Sequence, residues 1–319
     1  MRTLAWAVFL AILSSGAEAQ MRVQEYPLPP RITAHDIWAD PAPDGPVWFS
    51  GQGSGNAGRL DPKSGKVELI PLGMGSAPHG VVLDHDGSAW FTDGGQNAIA
   101  RVDAKTFEVK KWRLPKETGY ANLNTATFDK AGIHWFTGQS GIYGRLDPRS
   151  GDLKVFDAPK GQGPYGIHGT PDGAVYFASL AGSYVGRIDT ATYKVQVIEP
   201  PTSGQGARRV WPDSKGMVWV AEWNSGNLSR YDPKSGAWKT WKAPGERPRV
   251  YAVYVDETDR PWISEWDKQL MMRFDPVTEK WDSFASSSGT ANVRQIHGRK
   301  GEVWTPESAS GKLVVYRYR

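Results

Sequence analysis

The sequence of 319 residues contains no cysteine. This absence excludes disulfide-stapled scaffolds, thiolate zinc sites, iron–sulfur proteins and enzymes with a cysteine nucleophile. The chain also lacks a strong excess of one charge sign, since 38 Lys and Arg residues stand against 34 Asp and Glu residues. With 12% aromatic residues, this balance excludes an intrinsically disordered chain. The basic residues form no cluster, so we expect no nucleic-acid partner.

Long hydrophobic runs are missing everywhere except near the start of the chain. There, Arg2 precedes an apolar run from Leu4 to Leu13, and a small-residue cleavage pattern follows it. This arrangement predicts a cleaved signal peptide over residues 1–19, because the run is too short for the roughly 20 residues that a membrane span needs. We therefore expect a periplasmic or secreted protein without a membrane span, in which residues 20–319 form a single domain.

Glycine, proline and tryptophan are abundant, with 36, 23 and 15 residues respectively. An aromatic residue followed by a short apolar or small-residue run recurs at spacings of 42, 45, 41, 43, 43 and 42 residues. Such a period is typical of four-stranded propeller blades. Turn sequences between short alternating segments support four strands, named A to D, in each unit. The sequence therefore predicts an all-β, seven-bladed β-propeller whose blades are four-stranded and antiparallel. The seven aromatic anchors are Trp48, Trp90, Trp135, Tyr176, Trp219, Trp262 and Trp304.

The two ends of the chain predict how the ring closes. The seventh unit ends after its third strand, and residues 22–29 resemble a fourth strand that has no A, B or C strand before it. We expect this mature N-terminal strand to complete the last blade and so fasten the termini together.

Function in such a ring is expected where the innermost strands meet the axis. Positions at the start of strand A are mostly polar, and those three residues after the anchors include four carboxylates, so we expect solvent-lined walls that hold a ligand or a cation. The first ring of positions is His35, His79, Asn124, Tyr165, Arg208, Tyr251 and Val293. The second ring is Gly51, Asp93, Gly138, Ser179, Glu222, Glu265 and Glu307. The predicted ligand-binding residues are Asn124, Tyr165, Arg208, Glu222, Tyr251 and Glu265.

The phrases Ala77-Pro78-His79-Gly80-Val81 and Gly163-Pro164-Tyr165-Gly166-Ile167, each followed by Asp-Gly and an aromatic strand, resemble the virginiamycin B (streptogramin B) lyase family. The resemblance spans essentially residues 22–319 and implies a seven-bladed propeller that linearises a cyclic depsipeptide by elimination across an ester bond. It further implies a histidine base and a magnesium ion held by histidine and glutamates in the last two units.

The family's active positions are largely changed in this sequence. Its two histidine positions fall on Tyr251 and Val293, one glutamate position falls on Ala291, and only Glu307 keeps its type. The same pattern of two strand-A histidines and a following carboxylate recurs in the first two units. We therefore consider a rotated metal or base site, with His35 and His79 as catalytic residues and a divalent cation, magnesium, as its cofactor; the alternative is that these residues line the channel without coordinating an ion. The metal ligands of this site are His35, His79, Asp93 and Glu307.

Three functions remain open from the sequence. The first is an exported lyase-like propeller, expected to be a monomer, that binds a small-molecule or cyclic peptide ligand at the axial channel mouth, with metal-assisted ester elimination as its reaction. The second is a non-catalytic binding or scaffold propeller with an aromatic and cationic face that includes Trp223 and Trp266. The third is a calcium-dependent lactonase-type hydrolase, a group built on six blades, against which the count of seven weighs.

Overall fold

A computed structural model of the chain describes residues 21–286 and 288–318, and the predicted signal peptide lies outside this part. Within it, 28 strands form seven four-stranded antiparallel sheets arranged as a ring. The predicted seven-bladed β-propeller is therefore confirmed. The described residues contain no α-helix, only a 3₁₀ turn at Lys116–Thr118, and no helix among them could cross a membrane.

The strands follow one another around the ring in units of four, and each unit is one blade. Blades one to three contain β2 (Ile37–Ala39), β3 (Val47–Gly51), β4 (Asn56–Leu60), β5 (Val67–Pro71), β6 (Pro78–Leu83), β7 (Ala89–Asp93), β8 (Ala98–Val102), β9 (Val109–Arg113), β10 (Leu123–Phe128), β11 (His134–Gly138), β12 (Ile142–Leu146) and β13 (Leu153–Asp157). Blades four to six contain β14 (Pro164–Gly169), β15 (Val175–Ser179), β16 (Tyr184–Ile188), β17 (Val195–Ile198), β18 (Ala207–Pro212), β19 (Val218–Glu222), β20 (Asn227–Tyr231), β21 (Trp238–Lys242), β22 (Val250–Val255), β23 (Pro261–Glu265), β24 (Leu270–Asp275) and β25 (Lys280–Ala285). Blade seven contains β26 (His297–Arg299), β27 (Glu302–Glu307), β28 (Lys312–Arg317) and β1 (Arg22–Pro27).

The N-terminal strand closes the ring as the sequence predicted. β1 pairs antiparallel with β28 in a continuous register from Arg22 opposite Arg317 to Pro27 opposite Lys312. Tyr26 is buried in this pairing and stacks on the anchor Trp304, with ring centroids 5.5 Å apart. The last blade is therefore held together by both ends of the described chain.

The aromatic anchors are buried between adjacent blades, as their spacing predicted. In four blades the indole N–H of the anchor donates to the carboxylate six residues earlier, at the end of strand A; for example, Trp262 Nε1 donates to Asp256 at 2.8 Å. Trp304 uses Glu302 instead, at 2.9 Å. The four bonds to the end of strand A tie the middle of strand B to the turn that precedes it.

The core lies between neighbouring sheets. One cluster, for example, joins Trp48 and Ile70 of blade one to Val81 and Phe91 of blade two. The close stacking of strands B and C requires glycine at some strand-C positions: a Cβ on Gly58 would lie about 2.0 Å from the ring of Phe49. Packing between blades thus replaces the disulfides that the chain lacks.

Candidate functional site

Residues at the start of strand A converge on the propeller axis from different blades. The rings of His35 and His79 lie 4.0 Å apart, and Asn124 Nδ2 lies 3.2 Å from His79 Nε2. Further round, the hydroxyls of Tyr165 and Tyr251 lie 2.7 Å apart. We call this end of the channel the axial mouth. Comparison of equivalent positions in the seven units therefore identified residues that the fold brings together.

A backbone irregularity that recurs in blades two to six turns these side chains towards the axis. In blades two to six the register between strands A and B shifts around the position concerned, for instance between Pro78 and Val81 in blade two. A β-bulge at such a point turns a side chain out of the normal alternation. Hydrogen bonds between blades fix the bulged strands: Ser50 Oγ donates to the carbonyl of His79, and Thr92 Oγ1 donates to that of Asn124.

Burial at the axis differs from the solvent-lined walls that the sequence predicted. Of the first ring, all residues except Arg208 are buried, because side chains from opposite blades fill the channel and contact one another. The second ring is buried too, and two of its carboxylates bind backbone N–H groups of the turns between strands B and C and of residues just before strand A. Asp93 accepts from Ala77 N and Gln96 N, and Glu265 accepts from the backbone N–H of Arg249, Asp267 and Lys268.

Glu222 and Glu307 follow the same pattern. Glu222 accepts from Ser225 and Ser229, and Glu307 accepts from Ser310 at 2.8 Å. These bonds anchor the turns of blades five and seven, so the second ring shapes the mouth from behind rather than lining open solvent.

A buried ion pair crosses the axis beneath the histidines. Arg209 of blade five donates to both carboxylate oxygens of Asp36 in blade one, at 3.0 and 3.1 Å, and also to Thr125 of blade three at 2.9 Å. Asp36 in turn accepts from His35 Nδ1 at 2.9 Å. The three residues therefore form a relay, His35–Asp36–Arg209, that joins opposite sides of the ring.

Charge and burial set the protonation of this relay. Burial alone raises the pKa of Asp36, but Arg209 and the hydrogen bond from His35 outweigh it and hold the pKa at about 2. Burial lowers the pKa of His35, against the opposing effect of Asp36. At neutral pH the imidazole is neutral. Since an ionised carboxylate only accepts, the proton of the neutral ring lies on Nδ1 and the lone pair lies on Nε2.

His79 occupies a more enclosed position than His35. Its Nε2 faces the amide nitrogen of Asn124, which only donates, so its proton lies on Nδ1, 4.0 Å from Asp36. Burial, with the nearby His35, holds the pKa of His79 well below its usual value. His79 is thus a neutral neighbour of the relay.

Arginine and tryptophan side chains border the mouth on the side of blades five to seven. The Arg208 guanidinium lies 3.6 Å from the ring centroid of Tyr251 and 4.5 Å from that of Trp223. Arg249 lies 5.1 Å from Trp223, and Arg294 lies 5.1 Å from Trp266. We name this surface the arginine–tryptophan face; its members are Arg208, Arg249, Arg294, Trp223 and Trp266.

An open cavity of about 380 Å³ lies beside this face, between blades seven and one. Arg294 belongs to both the cavity wall and the arginine–tryptophan face, so the two are continuous. The polar residues that line the cavity are Thr33, His35, Gln52, Asn292, Arg294 and Ser308. The cavity joins the imidazole of His35 to a positively charged rim and has space for a small organic molecule.

The donor set at the relay does not fit magnesium. Within the described residues, the group of His, Asp and Glu side chains with ligand atoms within 4.8 Å of one another consists of His35, Asp36 and His79. Magnesium prefers oxygen ligands in an octahedral shell. Here the single carboxylate already binds a guanidinium through both oxygens, and the carboxylates of Asp93 and Glu307 are engaged with their own turns.

Comparison of equivalent positions in the seven units of the chain found His35, His79, Asn124, Tyr165, Arg208 and Tyr251, but it overlooked Asp36 and Arg209. Each of the two lies one position after a ring residue, in strand A or just before it. The sequence did contain a signal for both, because each is a charged residue at a position that the strand pattern predicts to be buried. An unpaired charge at such a position is very unfavourable. Pairing them across the ring requires the three-dimensional arrangement.

A second aromatic layer fills the opposite end of the axis. The rings of Trp38 and His297 stack with centroids 3.8 Å apart, and those of His168 and Trp211 lie 4.0 Å apart. Each lies three or four residues after a first-ring position, which places them deeper along the same strands. These rings fill the axis below the relay.

Comparisons with known proteins agree with the architecture. The model of the virginiamycin B lyase family matches residues 15–237. Among solved structures, a streptogramin B lyase superposes with a TM-score of 0.85 at 21% identity, covering 94% of this chain and 98% of that one. Virginiamycin B lyase from Staphylococcus aureus gives 0.85 at 20% identity, covering 94% and 100%. Its catalytically inactive variant with quinupristin gives the same TM-score and identity over the same shares. No curated protein matches the sequence significantly.

Proposed function

The chain belongs to the virginiamycin B lyase family, and from this premise we propose that it is an exported propeller that binds a small organic anion at the axial mouth. Export is supported by the signal-peptide pattern of residues 1–19. The observation that carries the ligand class is the continuity of the 380 Å³ cavity with the arginine–tryptophan face.

Charge at the mouth favours an anion over a cation. Arg208, Arg249 and Arg294 border it on the side of blades five to seven, while Asp36 is neutralised by Arg209 and the second-ring carboxylates are buried. Arginine forms planar, charge-assisted pairs with carboxylates, and tryptophan offers a flat face to a planar group. A carboxylate attached to a planar or aromatic group therefore suits both components of the face.

Binding of 4-acetamidobenzoate, measured by isothermal titration calorimetry, tests the proposal. One charge-assisted hydrogen bond contributes about 1.5–3 kcal/mol, so Arg294→Gln should weaken binding about 10- to 100-fold. Arg149→Gln is the matched control, because Arg149 is exposed in a turn between strands C and D and pairs only locally with Asp147. Equal affinity for the neutral amide 4-acetamidobenzamide, or an unchanged affinity in Arg294→Gln, would contradict the proposal.

A second candidate function is elimination across the ester bond of a cyclic depsipeptide. The observation in its favour is that His35 and His79, both proposed as catalytic residues from the sequence, contact each other at the mouth. Incubation with quinupristin, followed by mass spectrometry, tests this candidate. Elimination within the ring opens it without a change in mass, whereas hydrolysis adds one water. An intact ring after incubation with and without magnesium would rule it out.

A further inference from the structure

His35 is arranged like a general base whose orientation is fixed from behind. Its Nδ1 donates to Asp36, which leaves Nε2 as the ring nitrogen with an available lone pair. His35 lines the 380 Å³ cavity, and among the described residues no side chain or backbone group hydrogen-bonds to its Nε2. A lone pair beside a polar cavity is the feature that proton abstraction requires.

His35 is supported from behind by hydrogen bonds that come from two other blades. Arg209 holds both oxygens of Asp36, and Thr125 holds Arg209 from a third blade. A carboxylate pinned in this way keeps the imidazole in one tautomer and one orientation. His79 lacks such an arrangement, because its Nε2 already faces the amide of Asn124.

The cavity also offers a group for a developing negative charge. Arg294 lines it together with His35, and its Nε donates to Ser308 Oγ at 3.3 Å, so the guanidinium is held at the wall. A fixed cation beside a reacting carbonyl stabilises the oxyanion that forms during attack.

We propose that His35, positioned by Asp36 and Arg209, activates water to hydrolyse a carboxylic ester bound in the cavity between blades seven and one. This inference rests on the proposed function, because the substrate is an ester of the anionic, planar class that the mouth binds. It assigns to this chain a reaction that needs no metal and that differs from elimination in consuming one water.

The reaction balances with water as the co-reactant. His35 Nε2 takes a proton from water while the water oxygen forms a bond to the acyl carbon. The carbonyl π pair moves to its oxygen, where Arg294 stabilises the negative charge. When that oxyanion collapses, the bond to the alkoxy oxygen breaks and the leaving group takes the proton from His35. The products are one carboxylic acid and one alcohol, and the enzyme is returned to its starting state.

Hydrolysis of 4-acetoxybenzoate by the full chain, followed as release of 4-hydroxybenzoate in labelled water, tests the proposal. We expect His35→Gln to lower kcat by about 100-fold or more with little change in KM, because loss of a general base removes about 10²- to 10⁴-fold. Asp36→Asn should lower kcat similarly, as a positioning effect. We expect one labelled oxygen in the acetate and an unchanged rate in the presence of EDTA.

Controls separate the inference from loss of folding and from failure of binding. His85→Gln, in an exposed turn of blade two, should keep the wild-type rate. The thermal midpoint of His35→Gln and its affinity for 4-acetamidobenzoate show whether the variant is folded and binds. A wild-type protein that binds 4-acetamidobenzoate but does not hydrolyse the ester refutes the hydrolysis and leaves the proposed function standing. Absence of binding refutes the proposed function itself, and a fully active His35→Gln refutes the role of His35.

Discussion

The cross-axis ion pair gives the sharpest stability prediction, for the variant Arg209→Met. Asp36 and Arg209 are only 1% and 4% exposed, so the substitution leaves an ionised carboxylate buried without its partner. Breaking a buried pair on one side costs about 3–5 kcal/mol. With an unfolding entropy of about 2.1 cal/mol/K per residue, the roughly 300 residues of the ring give about 0.6 kcal/mol/K, so the thermal midpoint should fall by about 5–8 °C.

The penalty should depend on pH in a defined direction. In the native chain the pKa of Asp36 is about 2, below the ordinary 3.8, so its contribution is complete above about pH 4 and is lost as the pH falls through 2. Without Arg209, burial dominates and the carboxyl pKa rises above its ordinary value. Protonation then relieves the variant in mild acid. The difference in free energy of unfolding between the two proteins should therefore shrink as the pH falls from 7 towards 4.

Thermal and denaturant unfolding followed by circular dichroism measure both effects. The double variant Arg209→Met/Asp36→Asn removes both charges and should be more stable than the sum of the two single losses implies. Arg149→Met is the matched control at an exposed pair and should change the free energy of unfolding by less than about 1 kcal/mol. Strict additivity in the double variant, or a penalty for Arg209→Met that is equal at pH 7 and pH 4, would refute the reasoning.

Three further perturbations follow from the same packing. Tyr26→Ala removes the side chain that stacks on Trp304 in the closing strand and should cost about 3–5 kcal/mol in denaturant unfolding; a loss below about 1 kcal/mol would contradict closure by β1. Asp256→Ala leaves the buried indole N–H of Trp262 without its acceptor and should cost about 1–3 kcal/mol, which equal denaturation midpoints for variant and wild type would disprove. Burial lowers the pKa of His134 to about 3. As the pH falls, the unfolded chain therefore binds a proton before the native chain does, and native stability falls between about pH 6.5 and 3. His134→Phe should remove about 1.4 kcal/mol per pH unit from that slope of stability against pH, and an unchanged slope would count against this role of His134.

The periodic features of the ring could be predicted well. Trp48 and its equivalents recur at a regular spacing because every blade must bury a large side chain against the next one. The closing strand could be predicted because its turn and strand pattern has no local partner in sequence, so only the incomplete last blade could accept it.

The candidate site was predicted only in part. Comparison of equivalent positions identified His35 and His79, since both lie at the start of strand A, where the bulges turn side chains towards the axis in most blades. The same comparison misplaced the second ring in solvent. Carboxylates such as Glu265 at the end of strand B accept from the N–H groups of the turn that follows, and the periodicity of the chain gives no sign of that local bonding.

The sequence by itself determined the number of blades, their strand order and the closure of the ring, because these depend on patterns that repeat every 41 to 45 residues. Only the tertiary structure decided which charges meet at the axis. Asp36 and Arg209 are separated by 173 residues, and their pairing follows from the placement of blades one and five across the ring rather than from any local pattern. The same geometry joins His35 to Arg294 at one cavity, because closing the ring places blade seven beside blade one.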